Sequence, residues 1–179
     1  MVLCGMFAAL VAIGAFIQIP VPYMDYFTLQ FFFVLLAGLI LGADKGAISV
    51  GCYVLLGLVG VPIFAAGGGI GYIFRPSFGY LVGFIVSAYV TGKVCEKLKA
   101  SYKNYLLACL AGFVVTYAIG IVYKFIILNF YAHTPATLGV IFLSCFPLDM
   151  PGDFVLCLLA AGVGPVSYTH LRAHETRRH

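Results

Sequence analysis

Apolar residues fall into six runs, separated by short polar or glycine- and proline-rich breaks. The first covers residues 3–19 and stops at "PVPY", where proline ends a helix well. The second, 27–41, is short for a bilayer span, and the third covers about 47–64, with the polar turn "GADKG" at 42–46 between them. The fourth covers about 78–94 and the fifth about 105–131. The sixth begins near Phe142, is interrupted by Pro147 and Pro151, and resumes in "FVLCLLAAGVG". No internal repeat is visible. The pattern predicts an all-α, polytopic membrane protein with six transmembrane helices in one domain, residues 1–164.

Composition agrees. Of 179 residues, 63% are hydrophobic and 9% charged, where a soluble domain carries about 25% charged residues. Too little polar surface is available to cover a water-soluble globule. Trp is absent, so the 12 tyrosines are left to supply the interfacial aromatic belt. The formal charge of +4 makes no case for a nucleic-acid partner; the lipid bilayer is the expected environment. The six cysteines stand at 4, 52, 95, 109, 145 and 157, too far apart for a CxxC metal or redox motif, and read as small hydrophobes. No metal site is expected. The N-terminal run has no basic flank and no small-residue cleavage site, so it does not read as a secretory signal.

Basic residues in the loops set the topology. Lys93, Lys97, Lys99 and Lys103 lie in one loop and Lys45 in another, while the alternate side holds only Arg75. The lysine side is therefore expected to be cytoplasmic, with both termini there and Arg75 outside.

The tail departs from this pattern. Residues 165–179 are polar and hold three of the four histidines. Val166 to Thr176 coincide with a translation through the transposase-end adaptor of sequencing libraries, so this segment is expected to be an artefact and is excluded from fold reasoning. Without it, seven basic and five acidic residues leave +2, and the last helix reads as truncated.

Candidate chemistry is sparse. Gly67, Gly68, Gly69 and Gly71 do not fit G-x-G-x-x-G, because position 72 is Tyr, and no GK[ST] follows. They read either as a flexible outer loop or as backbone that approaches a ligand closely. Arg75 either snorkels to the interface or holds an anion with its planar fork. Asp153 either caps the helix after Pro151 and Gly152 or accepts ligand N–H bonds in a cavity; Asp149 is a nearby outlier. Lys124 either reaches the interface or pairs with one of these aspartates. Ala8 and Ala12, with Gly5, Ala9 and Ala15, form a small-residue face that suits either internal packing or a partner helix.

Residues 28–92 resemble the BioY family, the biotin-specific S components of energy-coupling factor (ECF) transporters. The matching stretches are "TLQFFFVLLAGLILG", "GAISVGCYVLLGLVGVPIFAAGGG" and "RPSFGYLVGF". "AALVAIGAFIQIPVP" and "PGDFVLCLLAA" look like the family's first helix and last-helix motif, which extends the resemblance over essentially all of 1–164. The resemblance implies a six-helix S-component fold in the cell membrane and an outward-facing biotin pocket roofed by loops. It implies no cofactor and no ATPase activity in this chain; a transmembrane coupling subunit and two ATP-binding subunits would be the partners. Arg75 and Asp153 fall on ligand-associated positions, and Gln30 lies in the "TLQ" motif. Gly68 and Gly69 would bring backbone near the ligand, Tyr72 and Tyr80 would wall the pocket, and Lys124 would contribute a charge. Ala8 and Ala12 would meet the coupling subunit. Family members often carry a lysine one turn after the aspartate; here that position is Leu156.

Three alternatives remain at this point: an S component for another vitamin, a solitary small-solute carrier, and an intramembrane enzyme. An aspartyl protease needs catalytic Asp on two spans, but Asp149 and Asp153 share one segment and Asp25 and Asp44 lie in loops. Neither G-x-S-x-G nor H-E-x-x-H appears, so no catalytic residue is assigned.

Overall fold

The computed structural model describes residues 1–19, 27–145 and 149–175, with side chains described as far as Val163. Pro20, Pro22, Asp25 and Pro147 lie outside the described residues. The chain opens with α1 (Val2–Phe16) and a two-strand hairpin. In it, β1 (Gln18–Ile19) pairs antiparallel with β2 (Phe27–Thr28), Gln18 opposite Thr28 and Ile19 opposite Phe27. Then follow α2 (Gln30–Leu41), α3 (Ala43–Val59), α4 (Phe78–Lys97), α5 (Tyr102–Ile126), α6 (Leu138–Cys145) and α7 (Asp149–Glu175). A 3-10 turn at Ile70–Phe74 precedes α4, and a π turn at Ile127–Tyr131 extends α5. The helix of α7 runs on past the boundary at 164 drawn from composition.

Six apolar runs give seven α-helices among the described residues because the sixth run is broken. α6 and the part of α7 up to Val163 lie at 52° to each other. Pro151 sits in the first turn of α7, where a missing N–H costs little because that turn's donors lack intrahelical partners. With α6 and α7 taken as one bent element, the fold is the expected six-helix one. α4 and the continuous Tyr102–Tyr131 helix are each long and apolar enough to cross a membrane, and the α6–α7 pair is a third candidate. α1, α2 and α3 have 15, 12 and 17 residues, which is shorter than the ~20 of a straight span.

The turn after α2 is tighter than the expected 42–46. Gly42 alone, at φ +82°, reverses the chain, and α3 begins at Ala43. Glu96 at the end of α4 accepts the Ala43 N–H at 3.0 Å, and Asp44 sits in the first turn, where a carboxylate complements the helix's positive end.

α2 is central. It packs on α1, α3, α4 and α7, and Val34, Leu35 and Ala37 are fully buried. Small residues allow the close approach. A Cβ at Gly92 would strike the Ala43 backbone, and one at Gly38 would come within 3.1 Å of the Thr91 side chain. The small-residue face of α1 is split by packing. Ala8 and Ala15 are buried in the chain's own core, Ala12 is half-buried against it, and Gly5 and Ala9 are exposed. Ala8 is therefore occupied internally, which corrects its expected place on a partner surface.

The segment after α3 is a folded roof. Gly60 ends the helix in the left-handed region at φ +120°. Gly69 N–H then donates to Gly57 O at 2.7 Å, and Phe64 and Gly67 exchange backbone bonds of 2.9 and 3.1 Å. Phe64 is buried against Gly57 and meets Tyr53 edge to face at 5.5 Å. A Cβ on Gly68 would strike the Val61 carbonyl, so glycine is needed there for the loop to lie on α3.

Candidate functional site

A cavity opens where one end of the bundle meets this roof. β2 and the start of α2 give Phe27, Thr28, Gln30 and Phe31; the roof gives Ala65, Ala66 and Tyr72. Ser77 and the first turns of α4 add Tyr80, Leu81 and Phe84, α5 adds Tyr117 and Lys124, and α7 adds Asp149 and Asp153. Six of the fifteen wall residues are aromatic. Phe31 stacks with Phe84 at 5.9 Å, and Tyr117 lies between Phe113 at 4.7 Å and Tyr80 at 5.8 Å. An apolar lining with a few placed polar groups is the usual form of a small-molecule site.

The polar groups are fixed by their neighbours. Asp153 lies inside α7, four residues past its start, so it does not cap that helix. Its Oδ2 instead accepts the Tyr117 hydroxyl at 2.8 Å. Gln30 is buried and belongs to a relay: its Oε1 accepts from Thr28 Oγ1 at 3.2 Å, and its Nε2 donates to the Tyr53 hydroxyl. Tyr53 in turn donates to Ile63 O at 3.1 Å, which ties the floor of the cavity to the roof. The Tyr80 hydroxyl meets Cys145 Sγ at 3.1 Å. Tyr123 donates to Ile73 O and Phe74 stacks on Tyr131 at 4.8 Å, so the roof is also held to α5 and its extension.

Of the eight residues expected to bind a ligand, the structure brings Gln30, Tyr72, Tyr80, Lys124 and Asp153 onto one wall system. Gly68, Gly69 and Arg75 are outside it. The two glycines serve the packing of the roof on α3. Arg75 is exposed, and its guanidinium carbon lies 5.3 Å from the centre of the Tyr72 ring, which itself faces the cavity. Its place is thus beside a wall residue, in a cation–π contact. Leu156 is buried in the apolar core and does not line the cavity, whereas Asp149, one turn before Asp153, does.

Tyr117, Thr28 and Ser77 are wall residues that sequence reasoning missed, and Asp149, noted there only as an outlier, is another wall residue. For Tyr117 a signal existed: it precedes Lys124 by seven residues, two turns on the same helix face. Nothing in the sequence marks Ser77. Among the described residues, no group of three His, Cys, Asp or Glu is placed to hold a metal, and all six cysteines are free.

The model of the BioY family matches residues 1–173. The protein named "Probable biotin transporter BioY" from Lysinibacillus sphaericus is 40% identical over 162 residues, covering 90% of this chain and 82% of that protein. "Biotin transporter BioY" from Thermotoga maritima is 45% identical over 130 residues, covering 72% and 73%. Among solved structures, an S-component for biotin from an ECF-type ABC transporter superposes with a TM-score of 0.82 at 24% identity, covering 94% of this chain and 89% of that one.

Proposed function

Because this chain belongs to the BioY family, we propose that it is the biotin-binding S component of an ECF-type transporter and serves biotin uptake across the cell membrane. It is a multi-pass membrane transporter subunit, not an enzyme. The observation that carries the ligand assignment is the cavity itself: aromatic walls around a carboxylate, Asp153, that Tyr117 holds in place. Biotin has an apolar bicycle, a ureido group with two N–H donors, and a carboxylate tail. The bicycle fits the aromatic walls, and Asp153 suits the ureido N–H groups. Arg75, beside the wall residue Tyr72, is the proposed partner of the tail, since its guanidinium fork matches a carboxylate.

The proposed partners are a transmembrane coupling subunit and two ATP-binding subunits, which would hydrolyse ATP on behalf of a chain with no P-loop of its own. α1 remains the proposed contact with the coupling subunit, through exposed Gly5 and Ala9 and half-buried Ala12 in place of Ala8. Residues 165–179 are proposed to contribute nothing to either role.

Calorimetric titration of the purified chain in detergent with biotin, thiamine and riboflavin tests the reading. Saturable binding of biotin alone is expected. Binding of another vitamin in its place would shift the assignment to a sister S component, and binding of none would remove it.

A further inference from the structure

Three charged side chains line the cavity, and the biotin reading uses only one of them. Asp149 and Asp153 stand one turn apart on α7 and share a face. Lys124 comes from α5, two turns beyond the tyrosine that holds Asp153. The α5 face that fixes the carboxylate therefore also carries the cavity's cation. Lys124 and Asp153 border the same space.

Two carboxylates a turn apart at membrane depth repel each other, and ionised groups there are retained where an opposite charge offsets them. The net charge of such a cavity selects its ligand. Two carboxylates alone would favour a cation; with an ammonium in the same space, a neutral group that offers both donors and an acceptor gains instead.

We infer that Lys124 is a specificity-determining residue: it offsets the Asp149–Asp153 pair and lends an N–H donor from the neighbouring helix, so that the polar end of the cavity takes a neutral cyclic urea in preference to a cationic head. This rests on the biotin reading but not on Arg75. It concerns the head of the ligand, not its tail.

The test titrates the wild type and the variants Lys124→Met, Lys124→Gln, Lys124→Arg and Lys124→Met with Asp149→Asn. The ligands are biotin, biotin amide and 2-iminobiotin, whose head is a cyclic guanidinium. Lys124→Met is expected to weaken biotin and its amide by the same factor, at least about tenfold, as loss of a charged hydrogen-bond partner does. It should narrow the gap between biotin and 2-iminobiotin, which a merely structural role would not do. Lys124→Arg should keep most of the affinity, and the added Asp149→Asn should restore part of what Lys124→Met loses. Unchanged binding in Lys124→Met would overturn the inference, as would a loss confined to biotin with its carboxylate or an unmoved 2-iminobiotin ratio. If Lys124→Met does not fold, Lys124→Gln decides by the same ratios. A wild type that binds no biotin would sink the functional reading together with this inference; wild-type binding with unaltered variants would sink the inference alone.

Discussion

Asp153 commits one oxygen to the Tyr117 hydroxyl at 2.8 Å and lines the cavity. A hydrogen bond to a charged group contributes about 1.5–3 kcal/mol, or roughly 10- to 150-fold in affinity. Asp153→Asn is therefore expected to weaken biotin by at least about tenfold in calorimetry. Tyr117→Phe should cost less, because that hydroxyl positions the carboxylate and leaves the ligand bonds in place. Equal affinity of Tyr117→Phe and wild type would show that Asp153 needs no such support. Arg75 gives the complementary case. If its guanidinium meets the tail, Arg75→Ala weakens biotin by about tenfold or more while biotin amide loses much less, and Arg75→Lys recovers only part. Equal losses for the two ligands would assign Arg75 to holding Tyr72 and the roof. Most of these residues were legible because a charge or amide in an apolar run has few uses: Asp153, Gln30 and Lys124 stand out in the sequence. Tyr117 stood out only by its two-turn spacing from Lys124, since an aromatic among 28 Phe and Tyr residues is unremarkable until a fold shows which way it faces.

At the scale of elements, the sequence predicted the helices well and their contacts poorly. Apolar runs locate α1 to α5 within a few residues, because a helix in lipid must satisfy its own backbone. Which glycine permits contact and which permits a turn is a matter of partners that lie far apart in sequence. "GGG" in the roof invited a ligand-binding reading, yet Gly68 is required by Val61 and Gly69 bonds to Gly57. Gly92, unremarked in sequence, lets α4 lie against the start of α3. The Ala43 backbone opposite Gly92 cannot move aside as a flexible side chain would, so overpacking there costs about 1–3 kcal/mol or more. Gly92→Val is accordingly expected to lower the thermal unfolding midpoint in detergent, whereas Gly51→Val, at a position with nothing within 4 Å, should leave it nearly unchanged. Equal midpoints for the two variants would show that the α3–α4 contact is looser than described.

For the whole molecule, the direction of the helices places charge and cavity at opposite ends. The cavity takes the starts of α2, α4 and α7 and the later turns of α5. The other end carries Lys45, just after the α2–α3 turn, and Lys93, Lys97, Lys99 and Lys103 around the α4–α5 connection. Glu96 joins these two regions through its bond to Ala43. The start of the chain belongs to the same end, since Ser49 Oγ, early in α3, donates to Cys4 O at 2.6 Å. α7 begins at the cavity and runs toward the lysines. Basic residues stay on the cytoplasmic side, so the cavity is expected to face outward and both ends of the helical chain inward. Single cysteines in a cysteine-free background check this. With Val61→Cys in the exposed roof and Lys99→Cys in the exposed lysine connection, a membrane-impermeant maleimide added to intact cells should label the first and not the second. Both should react once the cells are opened. Labelling of Lys99→Cys alone in intact cells would invert the molecule in the membrane, and an uptake role for an outward cavity would fall with it.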